Sequence, residues 1–248
     1  MSQLSHSHGS GPGEDCESCR ALNSITSTEA YSAFARKLAA SSGADGSAGS
    51  GSGSGSGSGV AGIGAVRVVR VPEASAGGAL RAPLLEQTRA LFSAYRDVLL
   101  AADVPIDLFQ GFADEIAALP GPYVAERRGL ILLAFDDGAG TAPQEAEPAL
   151  AALGRCLGCV ALKDLDGSGG EVKRLFVLPA ARRRGVAQHL CAALEAAARD
   201  FGYASLALDT LDRLPGALEL YARLGYAATE RYNDNPLHDV RFLRKALR

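Results

Sequence analysis

The chain predicts an α/β layered domain, a mixed seven-stranded sheet flanked by about four helices, carried behind a disordered N-terminal tail. Three observations predict it. Residues 1–63 are rich in Ser and Gly and end in a Gly-Ser repeat from Gly46 to Gly59 that has nothing apolar to bury. From Val66 onward, apolar runs of strand length and segments of helical period follow one another as strand, two helices, three strands, helix, strand, helix, two strands. Between the fourth strand and the third helix lies a basic turn, Arg182-Arg-Arg-Gly185-Val-Ala187, at a junction able to hold a pyrophosphate.

In the tail, Ser27 to Leu38 has a candidate N-cap and sets Tyr31, Phe34 and Leu38 on one stripe, so it reads either as a short docking helix or as a frayed one. Val66 to Val71 reads as the first strand. Pro83 to Ala102 carries Leu84, Thr88, Leu91, Tyr95, Val98 and Leu99 at helical spacing, and Ile106 to Leu119 repeats the trend with Leu108, Phe112, Ile116 and Leu119. Pro120-Gly-Pro122 stops that helix, and Gly129 to Phe135 and Cys156 to Leu162 read as strands around an acidic excursion, Asp136 to Gly154. Glu171 to Leu178 is the fourth strand. Arg183 to Phe201 is amphipathic through Val186, Leu190, Leu194, Ala197 and Phe201; a strand follows at Ala204 to Asp209. Pro215 opens a last helix that buries Leu218 and Tyr221, with Gly225 suited to its left-handed exit, and Tyr226 to Arg231 and Val240 to Ala246 close the sheet.

With 248 residues and 47% hydrophobic content, the chain accommodates one globular domain, 64–248, behind the tail, 1–63. A net charge of -3 excludes a general nucleic-acid binder, so any basic site is local. No apolar run reaches membrane-spanning length, and the first residues lack the basic start and apolar stretch of a signal peptide. The expectation is a cytoplasmic protein, monomer or homodimer, with no membrane or nucleic-acid partner. Five cysteines include two CxxC pairs. Cys156 and Cys159 lie on a strand, where positions three apart face opposite sides unless a bulge at Gly158 intervenes. Cys16 and Cys19, with His6 and His8 nearby, read either as a weak metal site or as reduced thiols in the tail. The expectation is no metal.

Arg182 to Ala187 fits the pattern [Gln/Arg]-x-x-Gly-x-[Gly/Ala] at a helix start directly after a strand. The first N–H groups of a helix lack acceptors and its dipole places about half a positive charge there, so phosphates are favoured. The pattern is neither a dinucleotide fingerprint nor a P-loop. Read without further context, it is either a phosphate cradle or a solvated arginine cluster.

Strand, turn and helix resemble motif A of the Gcn5-related N-acetyltransferase superfamily (GNAT), which binds the pyrophosphate of acetyl-CoA at this turn. The resemblance extends over Val66 to Leu247 and is carried further by Glu171, eleven residues before Arg182, by Leu220-Tyr221-Ala-Arg-Leu-Gly225-Tyr226, and by Tyr232-Asn-Asp-Asn-Pro236. It implies a GNAT-like acyl-CoA fold and an acetyl-CoA-dependent N-acetyltransferase in which a primary amine, small-molecule or peptide, attacks the thioester in a ternary complex without metal. It also implies that backbone groups of Leu175, Phe176 and Val177 bind pantetheine, with the Leu175 amide at the thioester oxygen. Arg182, Arg183, Arg184, Gly185, Val186, Ala187 and Gln188 would then bind the phosphates, and Tyr232 and Asn235 the acceptor. Ala187 stands where a second glycine is commoner, and Val172 stands where one bacterial-type subgroup, whose substrate loop Tyr232 to Pro236 resembles, often has methionine.

The chemistry assigns the remaining roles. An alkylammonium must lose a proton before attack, which costs about 4 to 5 kcal/mol at neutral pH, and Glu171 is the candidate base. Alternation would place Glu171, Lys173 and Leu175 on one strand face. The same glutamate also reads as a strand-edge residue paired with Lys173. Tyr221 is the candidate donor to the departing thiolate, or else a core tyrosine with its hydroxyl satisfied elsewhere. His189 and Cys191 read as packing residues. The competing function is a non-catalytic acyl-CoA-binding or protein-interaction module.

Overall fold

The computed structural model describes residues 65–72, 80–106, 111–136 and 153–247. The expected tail helix, the Cys16/Cys19 pair, the Gly-Ser linker and most of the 136–154 excursion lie outside them. The described elements are β1 (Val66–Arg70), α1 (Arg81–Ala101), α2 (Phe112–Ala117), β2 (Leu130–Asp136), β3 (Arg155–Asp164), β4 (Gly169–Val177), α3 (Val186–Asp200), β5 (Ser205–Leu211), α4 (Pro215–Arg223), β6 (Ala227–Ala228) and β7 (Val240–Ala246). The strands form one seven-stranded sheet in the order β1-β2-β3-β4-β5-β7-β6. Every pairing is antiparallel except β4 with β5.

Consecutive positions of β2 and of the middle of β3 are buried, so both faces of the sheet are covered. Helix α3 packs across β1 to β4, α1 against β3 and β4, and α4 against β5. The apolar stripe of α3 is Val186, Leu190, Leu194 and Ala198, each at most 1% exposed, and burying a leucine side chain of this kind contributes roughly 1.5–3 kcal/mol. On α1 the buried residues include Leu84, Thr88, Leu91 and Leu99, the residues whose spacing predicted the helix.

Three boundaries differ from expectation by three residues or more, for identifiable reasons. The third helix begins at Val186 rather than Arg183, because Arg183 (φ 62°) and Gly185 (φ 80°) adopt left-handed backbone and close a turn ahead of it. Helix α2 begins at Phe112, with Gly111 at φ 55° as its N-cap. Strand β6 is two residues long because the chain after Thr229 turns away from β7, carrying its 232–235 segment towards β4 and β5.

Two β-bulges revise the expected side-chain directions. Cys159 pairs with Phe176 and Ala161 with Lys173, so two steps on β3 span three on β4. The extra β4 residue brings Phe176, not Leu175, back to the face of Glu171 and Lys173, correcting the expected alternation. On the other side of β3, Ala134 pairs with Gly158 and Phe135 with Cys156, an extra residue on β3 that places Cys156 and Cys159 on the same face. The strand-parity argument against a shared metal therefore does not apply. Burial instead pushes the Cys156 thiol up to about 12 and the Cys159 thiol well above its usual range. Both stay protonated at neutral pH, and the Cys159 thiol donates to the Arg174 carbonyl at 3.4 Å.

A Cβ on Gly158 would lie 2.4 Å from the Phe176 carbonyl oxygen and 3.1 Å from the Val177 Cα, both backbone atoms. Gly158→Ala must therefore push β4 away, and the expected result is a loss of about 1–3 kcal/mol of stability in chemical denaturation.

Candidate active site

Strands β4 and β5 are joined in parallel only from Gly169 to Glu171 and from Ser205 to Ala207. Beyond that point they part, and two cavities open at the gap. One, of about 110 Å³, is walled by residues including Leu175, Lys173, Asp209 and Tyr221. The other, of about 350 Å³, is walled by residues including Glu171, Lys173, Asp209, Glu115 and Asn235.

The parting of β4 from β5 coincides with the bulge. Arg174 sits at φ 57°, a conformation that costs an L-residue about 1–2 kcal/mol, and the cost is offset by what its side chain reaches. Its Nε donates to Glu115 Oε1 at 2.9 Å, its Nη2 pairs with Glu115 Oε2, and its guanidinium lies 4.4 Å from the Phe112 ring centroid. The Tyr123 hydroxyl donates to Glu115 Oε1 at 2.7 Å. Burial would raise the Glu115 pKa, but the bonds from Arg174 outweigh it and hold the carboxyl below its ordinary range.

Next to it, four charged groups form a continuous network. Glu171, 2% exposed, receives Lys163 Nζ on Oε2 at 2.8 Å, and Lys173 Nζ at 3.1 Å and the Tyr232 hydroxyl at 3.3 Å on Oε1. Lys173 Nζ also reaches Asp209 Oδ1 across the strand gap at 3.4 Å. Burial would lower the Lys173 pKa, but Asp209 and Glu171 outweigh it and the ammonium is held above its ordinary range. Burial would raise the Asp209 pKa, yet Lys173, Asn235 and Asn233 bring it below the usual carboxylate range. Asn235 and Asn233 donate from Nδ2 to Asp209 Oδ2 at 2.9 and 3.4 Å.

Of the two readings of Glu171, the pairing with Lys173 is present, and the residue also faces the larger cavity. Tyr221 is 7% exposed, stacks edge-on with Tyr226 at 5.4 Å, and lines the smaller cavity. No hydrogen bond engages its hydroxyl among the described residues. Burial raises its pKa well above 10, so the phenol stays protonated and able to donate. Asn235 borders both cavities, but its amide is engaged with Asp209 and its Oδ1 accepts from the Leu237 N–H at 3.2 Å. Tyr232 is turned to Glu171 and packs on Phe242 at 5.3 Å.

At the basic turn, Arg182 Nε donates to the Val177 carbonyl at 3.1 Å and ties the turn to the end of β4. Helix α3 has no side-chain cap and no acidic residue in its first turn. Its first internal donor is His189, whose N–H reaches the Gly185 carbonyl at 3.1 Å, leaving the amides of Val186, Ala187 and Gln188 without acceptors in the helix. These donors at a positive helix end, beside Arg183 and Arg184, fit a pyrophosphate. Gly185 is required for its φ, since a Cβ there would meet only the His189 ring at an ordinary 3.7 Å.

A family model described as the acetyltransferase (GNAT) family matches residues 115–226. The chain is also 34% identical over 137 residues to an uncharacterized N-acetyltransferase of Schizosaccharomyces pombe, covering 55% of this chain and 74% of that protein. The chain belongs to the GNAT acetyltransferase family. As a GNAT protein it is an acyltransferase. An IAA acetyltransferase of Azospirillum brasilense is 37% identical over 75 residues, 30% of this chain and 49% of that protein. The fold is shared with an acetyltransferase of Streptococcus agalactiae (TM-score 0.53, 16% identity, 73% of this chain and 98% of that one). It is shared as well with a GNAT acetyltransferase of Staphylococcus aureus (TM-score 0.52, 15% identity, 74% and 100%). Among the described residues, no helix is long and apolar enough to cross a membrane.

Spacing alone did not single out Lys163, Asp209, Asn233 or the Glu115–Arg174 pair. Asp209 did carry a signal, as the one charged residue in the strand Ser205-Leu-Ala-Leu-Asp-Thr-Leu211. The others meet the site through cross-strand register and the packing of α2, which leave no local pattern.

The network also sets a pH dependence. Asp209 has a folded pKa below its unfolded value, so its contribution to stability is present above roughly pH 4 and is lost as pH falls through the folded value. Lys173 is raised, so its contribution is present below its unfolded pKa and is lost as pH rises through the folded one. In Lys173→Met the folded pKa of Asp209 moves up towards or past its unfolded value, so stability is expected to fall less on acidification than in wild type, as read from denaturation midpoints between pH 2 and 7.

Proposed function

We propose that the described domain is an acetyl-CoA-dependent N-acetyltransferase that joins the acetyl group to a primary amine in a ternary complex. The observation that carries this reading is the parting of β4 from β5 between an uncapped helix start on one side and an ion-paired cavity on the other. Amides from Arg183 to Gln188 hold the phosphates of the co-substrate, and backbone groups of Leu175, Phe176 and Val177, on a strand edge that β5 has left, hold its pantetheine arm. Bound there, acetyl-CoA supplies the acetyl thioester. Arg182 fixes the turn through the Val177 carbonyl, and Arg183 and Arg184 add charge at the rim.

Overall, the acceptor nitrogen gains the acetyl group, the sulfur leaves, and one proton passes from nitrogen to sulfur. Glu171 takes the proton from nitrogen, and the Tyr221 phenol donates to the sulfur. Lys163 and Tyr232 hold the Glu171 carboxylate in one orientation at the cavity wall. Tyr232 and Asn235 thus act on the acceptor by shaping this wall.

The test is steady-state kinetics on a panel of primary amines with acetyl-CoA, read by thiol release, together with calorimetric CoA binding. Glu171→Gln and Tyr221→Phe are each expected to lower kcat by about 100-fold while leaving the CoA Kd within about twofold. Full activity in both variants removes these two roles. No CoA binding by the wild type removes the whole reading.

Gly185→Val forces a β-branched side chain to a φ of 80° and disturbs the amides that follow it. It is expected to weaken CoA binding by about tenfold or more, as measured in the same calorimeter.

A further inference from the structure

Four carboxylates line the larger cavity, those of Glu115, Glu171, Asp209 and Asp234, and of these only Asp209 also borders the smaller cavity that contains Tyr221 and Leu175. It stands two residues past Ala207, the last β5 position paired with β4, so its side chain lies where the strands have already separated. Resting on the acetyltransferase reading above, we propose that Asp209 receives the acceptor nitrogen, and that the acceptor is a primary amine with no carboxylate beside it.

The first half follows from how the two central carboxylates are engaged. Both Glu171 oxygens receive cations, at 2.8 and 3.1 Å, and Oε1 takes the Tyr232 hydroxyl as well. Among the described residues, each of the two has one oxygen with two contacts and one with a single contact, but that single contact is 2.8 Å on Glu171 and 3.4 Å on Asp209, and of the two only Asp209 borders both cavities. The two asparagine amides fix its Oδ2, whereas Oδ1 has a single contact among the described residues, with Lys173 at 3.4 Å. A carboxylate offers about four lone-pair sites, so Oδ1 retains capacity for an N–H. An amine that donates one hydrogen there has its nitrogen between the two cavities, with its lone pair free for the acetyl carbon. Asp209 aligns the nucleophile, and proton removal stays with Glu171.

The second half follows from charge. The cations lining the larger cavity are Lys163, Lys173 and Arg174, and each is already engaged by a protein carboxylate: Lys163 by Glu171, Lys173 by Glu171 and Asp209, Arg174 by Glu115. Three cations against four carboxylates leave this wall formally at -1. A substrate carboxylate adjacent to the amine would enter this negative wall at the cost of its own hydration, with every lining cation already committed. An amine without that group meets no such penalty.

The experiment compares matched pairs as acceptors with acetyl-CoA: tyramine with tyrosine, histamine with histidine, isoamylamine with leucine. The amines are expected to show kcat/KM values at least about tenfold above their amino acids. A hydrogen bond to a charged group contributes about 1.5–3 kcal/mol, so Asp209→Asn is expected to raise KM for the amines at least tenfold. Its calorimetric Kd for CoA should stay within twofold of wild type, which a general structural fault would not permit. Asn235→Ala, which loosens Asp209 without removing its charge, should raise KM in the same direction by less. The proposal is overturned if the amino acids serve as well as the amines, if Asp209→Asn keeps the wild-type KM, or if a protein that binds CoA acetylates none of the amines. Failure of the wild type to bind CoA would overturn the acetyltransferase reading itself.

Discussion

The clamp on Arg174 is the constraint on which the site depends. One residue too many on β4 would ordinarily relax as a register slip, because a bulge in mid-sheet gives up ladder hydrogen bonds. Here the surplus residue is held in left-handed backbone by an arginine that is paired with Glu115 and stacked on Phe112, while the Cys159 thiol occupies its carbonyl. The clamp connects α2, β3 and β4, and at the same level of the sheet β5 leaves β4. Both cavities exist because that pairing stops. A regular strand through residue 174 would close the sheet and leave no room for a ligand between its halves.

The buried charges beside the gap are organised as a balanced set. Glu171 and Asp209 are matched by Lys163 and Lys173, and Lys173 is shared across the strands that have parted. Ion pairs removed from water contribute little net stability, since desolvation consumes most of the Coulombic gain. Their value lies in preorganisation: both carboxylates are held in fixed orientations, and Asp209 is kept charged in a space whose burial would otherwise favour its neutral form. The 232–235 segment is part of the same arrangement. Its asparagines and tyrosine direct their polar groups to Asp209 and Glu171, so it fixes these two carboxylates at the wall of the larger cavity.

Much of the fold was legible from the residues. Alternating apolar runs located the seven strands, and helical spacing found α1, α3 and α4, because burial of a stripe is what stabilises such helices and leaves a periodic mark. The Gly185 turn was legible for a different reason, as a spaced basic-glycine pattern between a strand and a helix, while its left-handed backbone is a finding of the structure. The bulge on β4 was not legible. An inserted residue changes the parity of everything after it, yet Arg174 in Lys173-Arg-Leu-Phe176 looks like any other strand residue. The expectation that Leu175 shares a face with Glu171 failed at that point, whereas for Cys156 and Cys159 the bulge that Gly158 left open is what occurs on β3.

The amino-acid sequence by itself determined the layered α/β class, the order of its elements, the basic glycine turn before α3 and, through the motifs around Glu171 and Tyr221, the family. These are local properties, written in side-chain period and in backbone positions that accept few residues. Only the tertiary structure decided which charges meet. Lys163 and Glu171 come together through β3–β4 register, Lys173 and Asp209 across a parallel pair of strands, and Asp209 and Asn235 through a loop returning from the far edge of the sheet. Contacts between residues this far apart in the chain are set by how the whole sheet is ordered and where it splits, which no single segment encodes.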